Sequence, residues 1–181
     1  MLFDNRPSSP QELLRKAIFA CKEWENAQSH PLKAPIPKRL SPPQPPMDPN
    51  IVICYTDAAW RSDRKAAGLA WIFSDDTSKE ITRCCQFQDA VGSPLMAEAI
   101  AIRGALLHAS SFNFSQIWLR SNSQGLVTAI NSNHRPIELF EILLDVALLI
   151  SSKFSSVSVS FISCLFNGHE DLLAKACLCM H

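Results

Sequence analysis

Eight prolines stand between Pro31 and Pro49, at positions 31, 35, 37, 42, 43, 45, 46 and 49. Proline removes a backbone donor and fixes φ, so this stretch can be neither helix nor inner strand and is predicted to be an extended linker. It divides the chain into an extension over residues 1–30, a linker over 31–49 and a domain over 50–181. In the extension, Ser9 fits an N-cap, Pro10 the first helical position and Glu12 the third. Leu13, Leu14, Ala17, Ile18, Cys21 and Trp24 then share one stripe, which predicts an amphipathic helix from about Pro10 to Gln28.

From Ile51 the pattern alternates between strand and helix periods. Ile51–Asp57 reads as a buried strand ending at Asp57, Gly68–Phe73 as a second and Glu80–Phe87 as a third. The polar turn Asp75-Asp76-Thr77-Ser78 joins the last two, so the three form an antiparallel meander. Ser93-Pro94 opens a helix running to about Ser111, and Gln116–Ser121 is a fourth strand. Ser123 is placed to cap a short helix through Ile130, and Pro136 to start another with Leu139, Ile142, Leu143, Val146 and Leu149 on its apolar face. Val157–Ile162 alternates as a fifth strand, and His169–Cys177 is a final helix. The order β-β-β-α-β-α-α-β-α predicts an α/β domain: a mixed five-stranded sheet with helices packed on it.

No apolar run reaches the roughly 18 residues of a membrane span; the longest, Ile142–Ile150, is broken by Asp145. The first residues carry no basic segment followed by an apolar one, so an intracellular protein is expected, with Lys38-Arg39 too short a basic cluster to separate nucleus from cytoplasm. Seven cysteines without paired CxxC spacing are expected to be reduced thiols, Cys54 among them as core. The formal net charge is zero, from 17 basic and 17 acidic residues. A protein gripping a phosphate backbone usually carries a basic excess, so charge alone gives no support to nucleic-acid binding.

Three acids stand out by position. Asp57 ends an apolar strand, where burial is costly without a cation. Glu98 is the one acid in a helix start of small and apolar residues, and Asp171 lies at the start of the last helix. Each alone has an ordinary reading as a turn or first-turn acid. Together they could converge on one divalent cation, because hard metals want carboxylate oxygens.

The strings Tyr55-Thr-Asp-Ala-Ala-Trp60, Ala67-Gly-Leu-Ala-Trp-Ile-Phe73 and Ser93-Pro-Leu-Met-Ala-Glu-Ala99 resemble the type 1 ribonuclease H domain of plants. They are most similar to the variety attached to non-LTR retrotransposon reverse transcriptases. Ser121-Asn122-Ser123, Ile130-Asn131 and Asn167-x-x-x-Asp171-x-Leu-Ala-Lys175 continue the likeness, which covers roughly Val52 to Leu178. The resemblance implies magnesium, with manganese as an alternative, bound by Asp57, Glu98 and Asp171, and an RNA–DNA hybrid whose RNA strand is hydrolysed. Two-metal sites hold cations about 3.5–4 Å apart and need several negative ligands.

Asn122 departs from the family pattern, which has Ser-Asp-Ser at this point. Asparagine keeps the shape and one oxygen of the catalytic aspartate but loses a full charge. The histidine that some relatives carry before the last helix is absent from Phe161–Phe166, and His169 is expected to face solvent. The arginine common before Asn167 in this variety is also missing, with Ser163-Cys164 in that region. Three functions compete: a metal-dependent ribonuclease impaired at Asn122, a catalytically silent nucleic-acid-binding module, and a retrotransposon-derived remnant or interaction domain.

Overall fold

The computed structural model describes residues 50–180; the extension helix and the proline linker lie outside them. Five strands form one sheet in the order β3-β2-β1-β4-β5. They are β1 (Val52–Arg61), β2 (Ala66–Ser74), β3 (Glu80–Gln88), β4 (Gln116–Ser121) and β5 (Ser156–Phe161). β1, β2 and β3 pair antiparallel, whereas β4 runs parallel to β1 and β5 parallel to β4. The helices are α1 (Pro94–Ser111), α2 (Gln124–Asn131), α3 (Phe140–Lys153) and α4 (Gly168–Cys179). The predicted element order and mixed sheet are those observed.

Several boundaries differ. β1 continues past Asp57 to Arg61, because Ala58–Arg61 pair with Ala66–Leu69 of β2. Asp57 is therefore inside a strand and not at its end. Ser123 sits at the N-cap of α2 but makes no side-chain capping bond, while the segment after Pro136 begins as a 3₁₀ turn (Ile137–Leu139) before α3. Ser93 does cap α1, its Oγ accepting the Met96 N–H at 3.1 Å.

Strand alternation assigns the two faces of β2 to different helices. Trp71 meets α1 at Gly104, where an added Cβ would lie 2.8 Å from the indole, whereas Gly68 lies under Ala174 and Leu178 of α4. The α1 face holds the main core: Cys54, Leu69, Trp71 and Phe73 with Ala101, Ile102, Ala105 and Leu106. α3 packs on α1 in turn, and Arg103 pairs with Asp145 between them at 3.0 Å. Cys54 is core as expected, and the six described cysteines are free thiols. Trp71 and Trp60 use their indole N–H groups internally, on His108 Nδ1 at 2.8 Å and the Val91 carbonyl at 2.9 Å. Among the described residues no helix is long and apolar enough to cross a membrane.

Candidate active site

The parallel pairing of β1 with β4 creates the site. Thr56 is aligned with Ser121 at the end of β4, so the next residue of each chain segment, Asp57 and Asn122, emerge side by side. The Asp57 side chain is buried, and its Oδ1 accepts the Ala58 N–H at 2.8 Å. Asn122 Nδ2 lies 3.4 Å from both Asp57 oxygens. These are long bonds, but they turn the amide so that N–H and not C=O faces the carboxylate, the orientation its charge favours.

Glu98 comes from the second turn of α1. Ala97, Ala99 and Ala101 are fully buried and let this helix approach the sheet closely. Glu98 Oε2 is itself buried without a hydrogen-bond partner. Burial, then the charge of Asp57 and a side-chain hydrogen bond shared with it, push the Glu98 carboxyl from its ordinary 4.5 up to about 9. Asp57 is also raised, first by burial, with Asp171 adding to the effect and the Ala58 N–H and Glu98 opposing it. Two carboxyls this close cannot both carry a charge cheaply, so they hold one proton between them at neutral pH.

Asp171 lies in the first turn of α4, where its N–H donates to the Asn167 carbonyl at 3.2 Å. Its Oδ2 accepts from Lys175 Nζ at 2.7 Å, and both side chains are substantially exposed. Asp171 is felt at Asp57 as a charge, yet it is engaged by its own helix. Asn167 secures that helix: fully buried, it donates from Nδ2 to the Thr56 carbonyl at 3.0 Å, one residue before Asp57, while its Oδ1 has no partner. His169 is exposed, as expected.

The sequence reading missed Glu170. It is only 5% exposed, and burial raises its pKa, with Asp57 and Glu80 adding to the rise and its own backbone N–H and His169 opposing it. The signal was its spacing: Glu170, Ala174 and Cys177 fall at i, i+4 and i+7 on the buried stripe of α4.

These residues fit a divalent cation in part. The orphaned Glu98 oxygen and the proton trapped between two carboxyls are relieved by a positive charge. Asn122 presents N–H instead of an anionic oxygen, and Asp171 shares its Oδ2 with Lys175. Among the described residues, no group of three or more His, Cys, Asp or Glu is assembled to hold a metal.

A family model described as reverse transcriptase-like matches residues 55–177, more than half of the chain and all four positions of the site. The chain belongs to the reverse transcriptase-like family. Its fold is also that of solved ribonucleases H. This reverse transcriptase-like chain is similar to RNase H1 of the halophilic archaeon Halobacterium salinarum NRC-1, with a TM-score of 0.67 and 22% identity, covering 72% of this chain and 99% of that one. A second likeness is to LC11-RNase H1, solved in complex with RNA/DNA hybrid, with a TM-score of 0.66 and 18% identity, covering 71% and 97%. A third is to the N-terminal RNase H domain of rv2228c from Mycobacterium tuberculosis, solved as a fusion with maltose binding protein, with a TM-score of 0.64 and 16% identity, covering 72% and 94%. At these identities the likeness establishes the ribonuclease H-like fold. No curated protein matches the chain by sequence.

Proposed function

We propose that this domain binds RNA–DNA hybrids and that its magnesium- or manganese-dependent hydrolysis of the RNA strand is impaired by Asn122. Family membership, the ribonuclease H-like fold and the paired carboxyls of Asp57 and Glu98 support the activity. The observation that carries the impairment is Asn122 Nδ2 standing 3.4 Å from both Asp57 oxygens, where the resemblance has an aspartate. The motif strings favour the plant non-LTR retrotransposon variety of the domain.

Divalent cations, when bound at such a site, activate the attacking water and stabilise the leaving oxygen. The chain's own part is to hold them. Asp57 and Glu98 would hold them, Glu98 in its ionised form, and Asp171 would complete the set. Asn122 supplies no charge to this set. Cation affinity depends on ligand charge, and a misplacement near 1 Å costs on the order of 100-fold in rate. The zero net charge lends this reading no support of its own and counts mildly against strong phosphate attraction. The same contact favours a second reading, a silent binding module, because an amide donating to Asp57 steadies the site without any cation.

Binding and cleavage of a labelled RNA–DNA hybrid, in magnesium or manganese, separate these readings for the wild-type chain and Asn122→Asp. Hybrid binding by both, with cleavage at least about 100-fold faster in Asn122→Asp, is the expected result. Equal and rapid cleavage by both would refute impairment. Binding without cleavage in either would favour the silent module, and no binding by either would refute the hybrid-binding reading.

A further inference from the structure

The outer surface of the α1–α3 layer carries apolar side chains that the core does not need. α3 already buries Leu143 and Val146 inward, and Leu139 of the preceding turn is fully buried. Yet Ile137 is 97% exposed, Phe140 50% and Leu148 57%, with Leu144 exposed between them. Phe140, Leu144 and Leu148, four residues apart, lie on one face of α3, and Ile137 precedes them in the 3₁₀ turn. Leu107 of α1, also exposed, joins Leu148 in a groove of about 260 Å³ beside the Arg103–Asp145 pair. At the other end, Met96, Ile137, Phe140 and Ile142 line a cavity of about 500 Å³. A run of exposed large apolar side chains on one helix face is a common mark of a binding surface.

The charges beside the strip select the occupant. Glu138 and Glu141 flank the larger cavity, are exposed, and enter no ion pair with a described residue. Asp145 is already matched by Arg103. The strip therefore has an unmatched negative end, which repels phosphate and attracts cations. Along α3, from Phe140 to Leu148, it spans roughly 12 Å, a little over two turns of a facing helix.

We propose that this face docks an amphipathic α-helix of a partner protein, with apolar residues at i, i+3 or i+4, and i+7, and lysine or arginine at the end over Glu138 and Glu141. Apolar anchors enter the two concavities, as in other helix-in-groove complexes, and the acidic end fixes the direction in which the helix lies. This surface is separate from the carboxyl site, and its occupancy does not depend on whether the domain cleaves RNA.

The test uses the full chain and two labelled 14-residue stapled helical peptides that share leucines at the anchor positions. One carries lysines toward one end and the other glutamates there. Fluorescence anisotropy is expected to give saturable binding of the basic peptide and at least about 10-fold weaker binding of the acidic one. Phe140→Ser with Leu148→Ser is expected to weaken the basic peptide at least about 10-fold, while thermal unfolding stays near wild type because both side chains are exposed. Glu138→Lys with Glu141→Lys, which leaves the apolar strip intact, is expected to reverse the preference between peptides. Equal binding of the two peptides, or affinity unchanged in both double variants, would overturn the proposal. So would capture of wild type but not Phe140→Ser/Leu148→Ser by phosphatidylcholine vesicles, which assigns the strip to a lipid surface. A concentration-dependent dimer in sedimentation that the same variant abolishes would overturn it too, assigning the strip to a second copy.

Discussion

Asp57 and Glu98 are carried by elements locked into the sheet and its main core, whereas Asn122 and Asp171 stand at the margins of theirs, one just beyond β4 and one in the first turn of α4. The first pair is buried, in mutual contact and short of one charge. The second pair is half-buried, and each member is satisfied locally, Asn122 through Asp57 and Asp171 through Lys175. The contrast teaches that the costly element, the buried like-charge pair, sits on the rigid elements, while the two marginal positions have local partners of their own.

The largest expected effect strikes what holds α4, and so Asp171, in place. A methyl at Gly68 would collide with the Ala174 carbonyl and lie 2.7 Å from the Leu178 N–H nitrogen, both backbone atoms that cannot yield without moving the helix. Gly68→Ala is expected to cost on the order of 3 kcal/mol or more in chemical denaturation. A loss under about 1 kcal/mol would mean that α4 is free to shift.

Next comes the buried pair. The folded state keeps the Glu98 proton up to about pH 9, and the unfolded chain loses it near 4.5. The folded state thus binds more protons between those values, and stability falls as pH rises through that window. Glu98→Gln is expected to be stabilising by about 2–3 kcal/mol at pH 7 and nearly neutral at pH 4. A difference from wild type that does not change with pH would break the contrast between the two halves.

Asn167→Ala removes the bond from α4 to the Thr56 carbonyl, and also removes an Oδ1 that has no partner. These act in opposite directions, so a smaller loss of about 1–2 kcal/mol is expected. Hydrogen exchange at the first turn of α4 should rise in this variant, while exchange in α1 stays as in wild type. Gly125→Ala on α2 gives the smallest change and the opposite sign. A Cβ there meets nothing within 4 Å, and the helix gains about 0.5–1 kcal/mol from the lost backbone freedom.

Most of the architecture was legible because period-two and period-3.6 segments alternate cleanly after Pro49, and Ser93-Pro94 is a strong helix start. In the sequence Asp57 marks a strand end because a carboxylate interrupts the apolar run. The strand continues because that carboxylate is satisfied by the Ala58 N–H and the Asn122 amide, neither visible in local sequence. Asn122 itself was identified from its motif, but its role as a donor to Asp57 depends on the parallel register of β1 and β4. Asp171 shows the same limit: Lys175 lies at i+4 in the sequence, and only the structure shows the two side chains paired. Glu170 is masked in the sequence by the more suggestive aspartate beside it, although its helical spacing with Ala174 and Cys177 marks it as buried.

Manganese binding, followed by electron paramagnetic resonance at pH 7.5 for wild type and Asn122→Asp, tests the central claim about that missing charge. At least about 10-fold tighter binding in Asn122→Asp is expected, since each added carboxylate strengthens a hard-cation site. Equal affinities in the two proteins would contradict the account.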